Sequence, residues 1–227
     1  MSIVNEFLAV TGVHRDLEGR KVIVTAGGTR EAIDPVRFIG NRSSGKQGIS
    51  VAKAAAKRGA QVHLIAANVE IDNLDGGQIT HVVTAAQMLE VLHSSFTECN
   101  ILVMSAAVAD AKPVTSADEK IKKAHFTSIE LEENPDILET LAPLKNGQVV
   151  VGFAAETSDF IAAATSKLEK KGLDLIYVND VSSGAIFGSD ETEGTILLRN
   201  GDQLPVSCQT KDTLANLLLD YALKQLG

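Results

Sequence analysis

A chain of 227 residues with 44% apolar content can bury a sizeable core, and it suits one large α/β domain better than two small ones. Its formal charge of −8 argues against a general nucleic-acid binder, so positive charge that serves an anionic ligand has to be local. No apolar run approaches the ~20 residues of a membrane helix, no signal-peptide pattern opens the chain, and Cys99 and Cys208 lack zinc or disulfide spacing. A cytoplasmic protein with no membrane and no nucleic-acid partner is the expectation.

Residues 1–20 read as a peripheral N-terminal helix or linker, with Ile3, Val4, Phe7 and Leu8 at helical spacing and a strongly polar stretch over 15–20. From Lys21, strand and helix patterns alternate. Lys21–Thr25 is a short buried-type strand, and Ala26–Thr29 reads as a tight turn at its carboxyl end. Residues 37–59 start as a polar, glycine-punctuated loop and become a helix. Ser44 and Gln47 have capping-box spacing, Gly59 is a natural stop, and Ile49, Ala52, Ala55 and Ala56 share one face. Further strands are expected over Gln61–Ala66, Gln78–Thr84, Asn100–Ala106, Gln148–Phe153 and Leu173–Val178, with helices over Ala86–Phe96 and about Ser158–Lys171.

Two segments break the alternation. Ala111–His125 is polar and lysine-rich and reads as a lid, and Phe126–Leu131 then alternates like an exposed strand. Asn200-Gly201 between Thr195–Leu198 and Leu204–Ser207 marks a hairpin, and Thr210–Leu226 closes the chain as an amphipathic helix. Continuous apolar strands separated by helices indicate a Rossmann-like open, mainly parallel sheet with helices on both faces. A smaller antiparallel region would serve as lid or dimerisation element, all within one domain over 21–227.

Ligands of such sheets bind at the carboxyl ends of strands. Gly27 and Gly28, Ala106 to Asp110, Phe153, and Asn179 with Asp180 all fall on that edge. The helix start near Ser43 and Ser44 suits an anion, because free N–H groups and the positive dipole end point at it. Gly45 and Gly48 would clear room for a phosphate, and Arg37, Arg42 and Lys46 add charge. A capped surface helix with a polar approach loop is the alternative. The P-loop pattern fails at Gln47, where a Ser or Thr would hold Mg²⁺, and the dinucleotide fingerprint is absent because Gly27 and Gly28 are adjacent.

Small residues at Ala106 and Ala107 let a ligand lie against bare backbone, while Asp110 could bind a hydroxyl or a metal, or cap a helix. Lys120 to Lys123 form a cationic cluster on the lid or a plain solvated run. Asn134-Pro135-Asp136 reads as a turn into a helix, with Asp136 its cap. Lys167 and Lys171 share a helix face, as ordinary surface lysines also do. No hydrolase triad or metal-protease signature occurs, so the chemistry rests on positioning and charge.

Six runs in order, Thr25–Gly45, Ala106–Asp110, Lys120–Lys123, Asn134–Ile137, Gly152–Thr157 and Leu173–Asp180, closely resemble bacterial phosphopantothenate–cysteine ligase. The resemblance covers Lys21 to the C-terminus. It implies that CTP, with Mg²⁺ bound mainly through its triphosphate, activates the carboxylate of 4'-phosphopantothenate as an acyl-cytidylate. Pyrophosphate leaves, and the amine of L-cysteine then displaces CMP in a step of coenzyme A synthesis. It also implies a homodimer, no flavin in this chain, and a flavin-dependent decarboxylase as fused or separate partner; residues 2–20 resemble the connector to it.

By the same resemblance Asn41 and Lys120 are catalytic, and Arg37 reaches the substrate from the other subunit. Asn41, Ala106, Ala107 and Asp110 contact substrate. Gly28, Ser43, Gly45 and Gly48, together with Ala106, Asp110, Lys120, Pro135, Asp136, Ile137, Leu138, Phe153, Lys167, Lys171 and Asn179, contact the nucleotide. Two other readings stay open: a nicotinamide-dependent oxidoreductase of the same sheet class, and a non-catalytic nucleotide-sensing module.

Overall fold

Strand-forming aliphatic runs separated by amphipathic segments produce a layered α/β structure, described by a computed structural model for residues 15–156, 160–180 and 189–226. The helical spacing noted at residues 3–8 lies outside the described residues. In chain order the elements are β1 (Lys21–Gly27), β2 (Arg30–Ala32), β3 (Phe38–Gly40), α1 (Lys46–Lys57), β4 (Gln61–Ala67), β5 (Gln78–Val82) and α2 (Ala85–Ser95). There follow β6 (Ile101–Met104), β7 (Ala111–Pro113), β8 (Leu131–Glu133), α3 (Ile137–Leu141), β9 (Val149–Glu156), α4 (Phe160–Lys170), β10 (Leu175–Asp180), β11 (Glu191–Leu198), β12 (Gln203–Thr210) and α5 (Lys211–Leu226).

One eight-stranded sheet has the order β12-β11-β10-β9-β6-β1-β4-β5. Strands β1, β4, β5, β6, β9 and β10 run parallel, and the β11–β12 hairpin is added antiparallel at the β10 edge. Strand residues alternate between two cores. Val22, Val24 and Ala26 of β1 face a cluster shared with α1 and α5, while Ile23 faces the cluster that holds Met88 and Leu92 of α2 and Ala164 and Leu168 of α4. Both faces are therefore covered, as the sequence reading expects of a mainly parallel sheet. Strand order reverses at β1, with β4 and β5 on one side and β6, β9 and β10 on the other. The crevice above β1 and β6 is thus the switch point where such sheets take ligands.

Several local expectations need correction. Ala26–Thr29 is not a tight turn: β1 runs on to Gly27, and Gly28 makes an isolated parallel bridge with Ala107. A β2–β3 hairpin, absent from the sequence reading, fills the space before α1. Its turn is built on the Asp34 carboxylate, which accepts from Val36 N at 2.9 Å and Arg37 N at 2.8 Å. The strand expected over Phe126–Leu131 starts only at Leu131, where β8 pairs with β7. Phe126 instead lies under the Arg37 guanidinium, 3.8 Å from its ring centroid. Residues 15–20 pack into the domain, since Leu17 is fully buried and Asp16 pairs with Arg58 at 2.7 Å.

The capping box expected at Ser44 and Gln47 does not form. The N-cap of α1 is Gly45, in the left-handed region with φ of 72° and no side-chain cap bond. A capping box occurs instead at α2, where Thr84 Oγ1 accepts from Gln87 N at 3.2 Å and Gln87 Oε1 accepts from Thr84 N at 3.3 Å. Gly59 does end α1, its N–H bonding Ala56 O at 2.9 Å.

Gly48 sits where α1 crosses β1. A Cβ there would lie 2.7 Å from both Ala26 Cβ and Thr25 O, so the missing side chain lets helix and strand touch. Gly48→Ala should therefore destabilise by ~1–3 kcal/mol through overpacking, against the ~1 kcal/mol that alanine normally gains over glycine inside a helix. Urea melts of both proteins decide the sign, and an unchanged or raised midpoint would show that α1 can move off β1 without cost.

Candidate active site

The floor of the site is the segment after β6, and β1 fixes its shape. Ala107 N donates to Gly27 O at 2.8 Å, and Thr29 N donates to Ala107 O at 3.1 Å. Two fully buried hydroxyls complete the fastening. Thr25 Oγ1 accepts from Ala106 N at 3.0 Å and donates to Met104 Sδ at 3.4 Å, and Thr29 Oγ1 accepts from Ala109 N at 2.9 Å. The sequence reading missed both threonines. For Thr25 the available signal was a hydroxyl inside an apolar strand, which has to find a partner when dehydrated.

Asn41, just past β3, donates from Nδ2 to Val108 O at 2.9 Å. Asn134 approaches from the opposite side, with Nδ2 on Ala109 O at 2.9 Å and its N–H on Asp110 O at 2.8 Å. These residues line a first cavity of about 320 Å³ together with Ala106 to Asp110, Pro135 to Leu138, Phe153, Lys167 and Lys171. Most of the motif residues singled out along the chain therefore converge on one cleft. Asp110 leads into β7 and caps no helix, so its exposed carboxylate remains available to a ligand.

The far wall is α3, and Asp136 is its N-cap as expected, accepting from Glu139 N at 3.1 Å. The Asp136 carboxylate also pairs with Lys171 at 2.7 Å. Burial opposes ionisation there, but the Lys171 ammonium and the Glu139 and Leu138 N–H groups outweigh it, so the carboxyl lies below the usual range. Lys171 lies just past the end of α4, within reach of the cavity that Lys167 also lines.

A second cavity, of about 250 Å³, shares Ala106, Ala107 and Phe153 with the first and continues to Arg42, Ser43, Ser44, Gly45, Lys46, Gln47, Asn179 and Lys211. Gly45 is required at the helix start: its φ is positive, and a Cβ would meet Val69 Cγ1 at 2.7 Å. Ser43 Oγ accepts from Gly45 N at 3.4 Å. On the other wall the Phe153 and Tyr177 rings meet edge to face, centroids 5.8 Å apart, and Tyr177 OH bonds Thr192 Oγ1 at 2.8 Å. Burial pushes the Tyr177 phenol up to about 12, so it stays protonated.

Four expected residues lie elsewhere. Gly28 is buried in the floor, where a Cβ would sit 3.0 Å from Asn41 O. Gly48 lines neither cavity, and the space it leaves serves the α1–β1 contact. Arg37 is held by Asp34, whose carboxyl it keeps far below the usual range, and its Nη2 donates to Ile121 O at 2.8 Å. Lys120 is exposed and outside both cavities. Its segment is hydrogen-bonded to the Asp34 turn, by Ile121 N to Asp34 Oδ2 at 3.2 Å and Ala117 N to Ile33 O at 3.0 Å.

A cleft at the switch point, floored by backbone and flanked by lysines on two walls, marks a Rossmann-like α/β domain of the kind whose ligands lie at the carboxyl ends of the strands. More particularly, the chain belongs to the family described as the DNA/pantothenate metabolism flavoprotein C-terminal domain, which matches residues 17–226. It is similar to the coenzyme A biosynthesis bifunctional protein CoaBC of Bacillus subtilis, 45% identical over 217 residues, which are 93% of this chain and 53% of the relative. The chain spans about half the length of the curated relatives it matches. Among solved structures, the C-terminal domain of a coenzyme A biosynthesis bifunctional protein CoaBC has a TM-score of 0.80 at 33% identity, covering 92% of this chain and 97% of that one. The fold is shared by Cab2 in complex with phosphopantothenate-cysteine, with a TM-score of 0.74 at 16% identity, covering 100% of this chain and 95% of that one.

Proposed function

We propose that this chain is a ligase domain that joins 4'-phosphopantothenate and L-cysteine in an amide bond. CTP drives the reaction through an acyl-cytidylate, with release of pyrophosphate and CMP. The observation that carries this reading is the convergence on one cleft of Asn41, Ala106 to Asp110, Pro135 to Leu138, Phe153, Lys167 and Lys171. A carboxylate is a poor electrophile, and activation supplies it with a good leaving group. The protein's share is to bring two anions together and hold them aligned. Lys167 and Lys171 supply local cations in a chain of net charge −8, and the fixed floor offers backbone groups to a flat ligand. Asn41, steadied on Val108 O, retains its Oδ1 and a second N–H for the acyl group.

When bound with the triphosphate, Mg²⁺ would supply charge neutralisation. The residues fit it: Asp110 offers one exposed carboxylate to the first cavity, the Asp136 carboxylate being paired with Lys171, and Mg²⁺ commonly takes one or two carboxylates plus substrate phosphates. Among the described residues no three His, Cys, Asp or Glu side chains cluster as a metal cage. A pyrophosphate-release assay with and without cysteine tests the reading. Pyrophosphate should require both CTP and phosphopantothenate, and amide should appear only with cysteine. Ligand binding with no pyrophosphate would support a sensing module, and NAD(P)H binding without CTP binding an oxidoreductase.

CTP should be used in preference to ATP, because the small residues at Ala106 and Ala107 leave backbone groups open to a pyrimidine edge. Equal turnover at matched concentrations would remove the preference and leave the ligase.

The working form is a homodimer. Val36 and Phe38 at the β2–β3 hairpin and Val114, Ile129 and Leu131 around β7 and β8 are exposed large apolar residues on two small antiparallel sheets. Clustered apolar exposure of this kind marks an interface. Arg37 lies between Val36 and Phe38, which supports a role at the subunit boundary. Light scattering should give about twice 24.0 kDa, and a stable monomer at working concentration would count against the dimer. A flavin-dependent decarboxylase, fused or separate, is the proposed partner, and the cytoplasm, where CTP is made and used, the proposed location. Among the described residues no helix is long and apolar enough to cross a membrane.

A further inference from the structure

Two helices start at the second cavity, and each starts with a lysine. Lys46 is the first residue of α1 and Lys211 the first of α5, and both line the cavity. The two starts are fastened together, Gln47 Nε2 donating to Lys211 O at 3.3 Å. The cavity thus collects two ammonium groups and the positive ends of two helices of full length. Lys46 Nζ bonds Asp190 Oδ1 at 2.7 Å, and Asp190 O accepts from Lys211 N at 3.0 Å. The Lys211 ammonium itself donates to the carbonyl of Ser189. Burial and the nearby Lys46 charge lower the Lys211 pKa, and Asp190 offsets this only in part. Among the described residues, Glu191, which accepts from Cys208 Sγ at 3.8 Å, and Asp212 are absent from the cavity lining. The Lys46 and Asp190 side chains are 46% and 86% exposed. An ion pair so exposed contributes little to stability and exchanges readily for a stronger anion.

We propose that Lys211 binds the terminal phosphates of an oligophosphate in the second cavity, and that Asp190 is the resident counter-ion which that oligophosphate displaces from Lys46. The identity of the natural ligand as a nucleoside triphosphate rests on the ligase reading, but the site itself is defined by its charges. An oligophosphate lying across the starts of α1 and α5 would meet Lys46 on one side and Lys211 on the other, with Ser43 and the N–H groups after Gly45 between them. The β11–β12 hairpin and α5, appended to the parallel sheet, thereby supply a binding residue as well as packing.

Calorimetric titration with inorganic pyrophosphate tests this on four proteins, each first shown to be folded by its circular-dichroism melt. Lys211→Gln keeps length and a donor but loses the charge, and it should weaken pyrophosphate binding about tenfold or more relative to wild type. Asp190→Asn removes the competing carboxylate and should tighten binding by about two- to threefold. Lys224→Gln makes the same charge change at the far end of α5, where the ammonium lies over Tyr221 at 4.6 Å, and should bind as wild type. Wild-type affinity in Lys211→Gln, weaker binding in Asp190→Asn, or an equal loss in Lys224→Gln would each overturn the proposal. So would a wild type that does not bind pyrophosphate. If Lys211→Gln fails to fold, the opposite sign expected of Asp190→Asn still decides. The expected binding pattern in a protein that forms no amide would sink the ligase reading and leave this site standing.

Discussion

Lys120→Gln should bind CTP within about tenfold of wild type, a change of ~1.4 kcal/mol, yet release no pyrophosphate. Lys120 is exposed, and its neighbour Ile121 is tied at both backbone ends to Asp34 and Arg37. The segment is therefore docked beside the cleft without contributing the lysine to it. In the proposed mechanism the side chain swings over bound triphosphate and meets charge that grows on the phosphates as the carboxylate attacks. A contact stronger in the transition state than in the ground state speeds chemistry without tightening binding. Closing the lysines at 120, 122 and 123 over the cleft without ligand would cost charge repulsion, and a polyanion reverses the sign of that interaction. Rapid-quench measurement of the acyl-cytidylate is decisive. If the variant forms it at the wild-type rate and stalls only when cysteine is added, the lysine belongs to the second step.

Asn41→Asp should keep nucleotide binding and lose ~10²–10³ in the rate of amide formation, the usual cost of one preorganised donor. The structure adds a second contribution. Asn41 Nδ2 now donates to Val108 O, and a carboxylate placed there would face a carbonyl oxygen without a proton between them. The side chain would have to turn away, removing both its hold on the floor and its donor to the acyl group. Calorimetry with CTP alongside a product assay separates the two ligands. Unimpaired amide formation would take Asn41 out of the mechanism.

The large parallel sheet was legible because its strands are short, apolar on both faces and separated by helices. The β11–β12 hairpin was legible because Asn200-Gly201 fits the turn, with Gly201 at a φ of 93°. The first cavity followed from the rule that ligands lie at the carboxyl ends of strands. What escaped was decided by contacts distant in sequence. Strands β2 and β3 have three residues each, too few to show a period, and their turn depends on the Asp34 carboxylate. Ser44 and Gln47 satisfied the spacing of a capping box, but the chain enters α1 through a left-handed glycine, and that glycine takes the N-cap position instead. Lys211 follows a hairpin and stands in no motif, so only the meeting of α1 and α5 reveals it.

The threonine fastening of the floor has a consequence for how this cleft can change. Ala106 and Ala109 lie in a loop, yet their N–H groups end on fully buried hydroxyls, that of Thr25 inside β1 and that of Thr29 just beyond it. Such amides exchange with solvent only when the strands beneath them come apart, so the floor shares the cooperative unit of β1 and β6. In heavy water they should outlast the amides of the exposed 115–124 segment and fade together with those of the central strands. The floor therefore presents every ligand with the same surface, and shifts in substrate preference should accumulate in α3, α4 and the start of α1, whose side chains can be exchanged without opening the sheet.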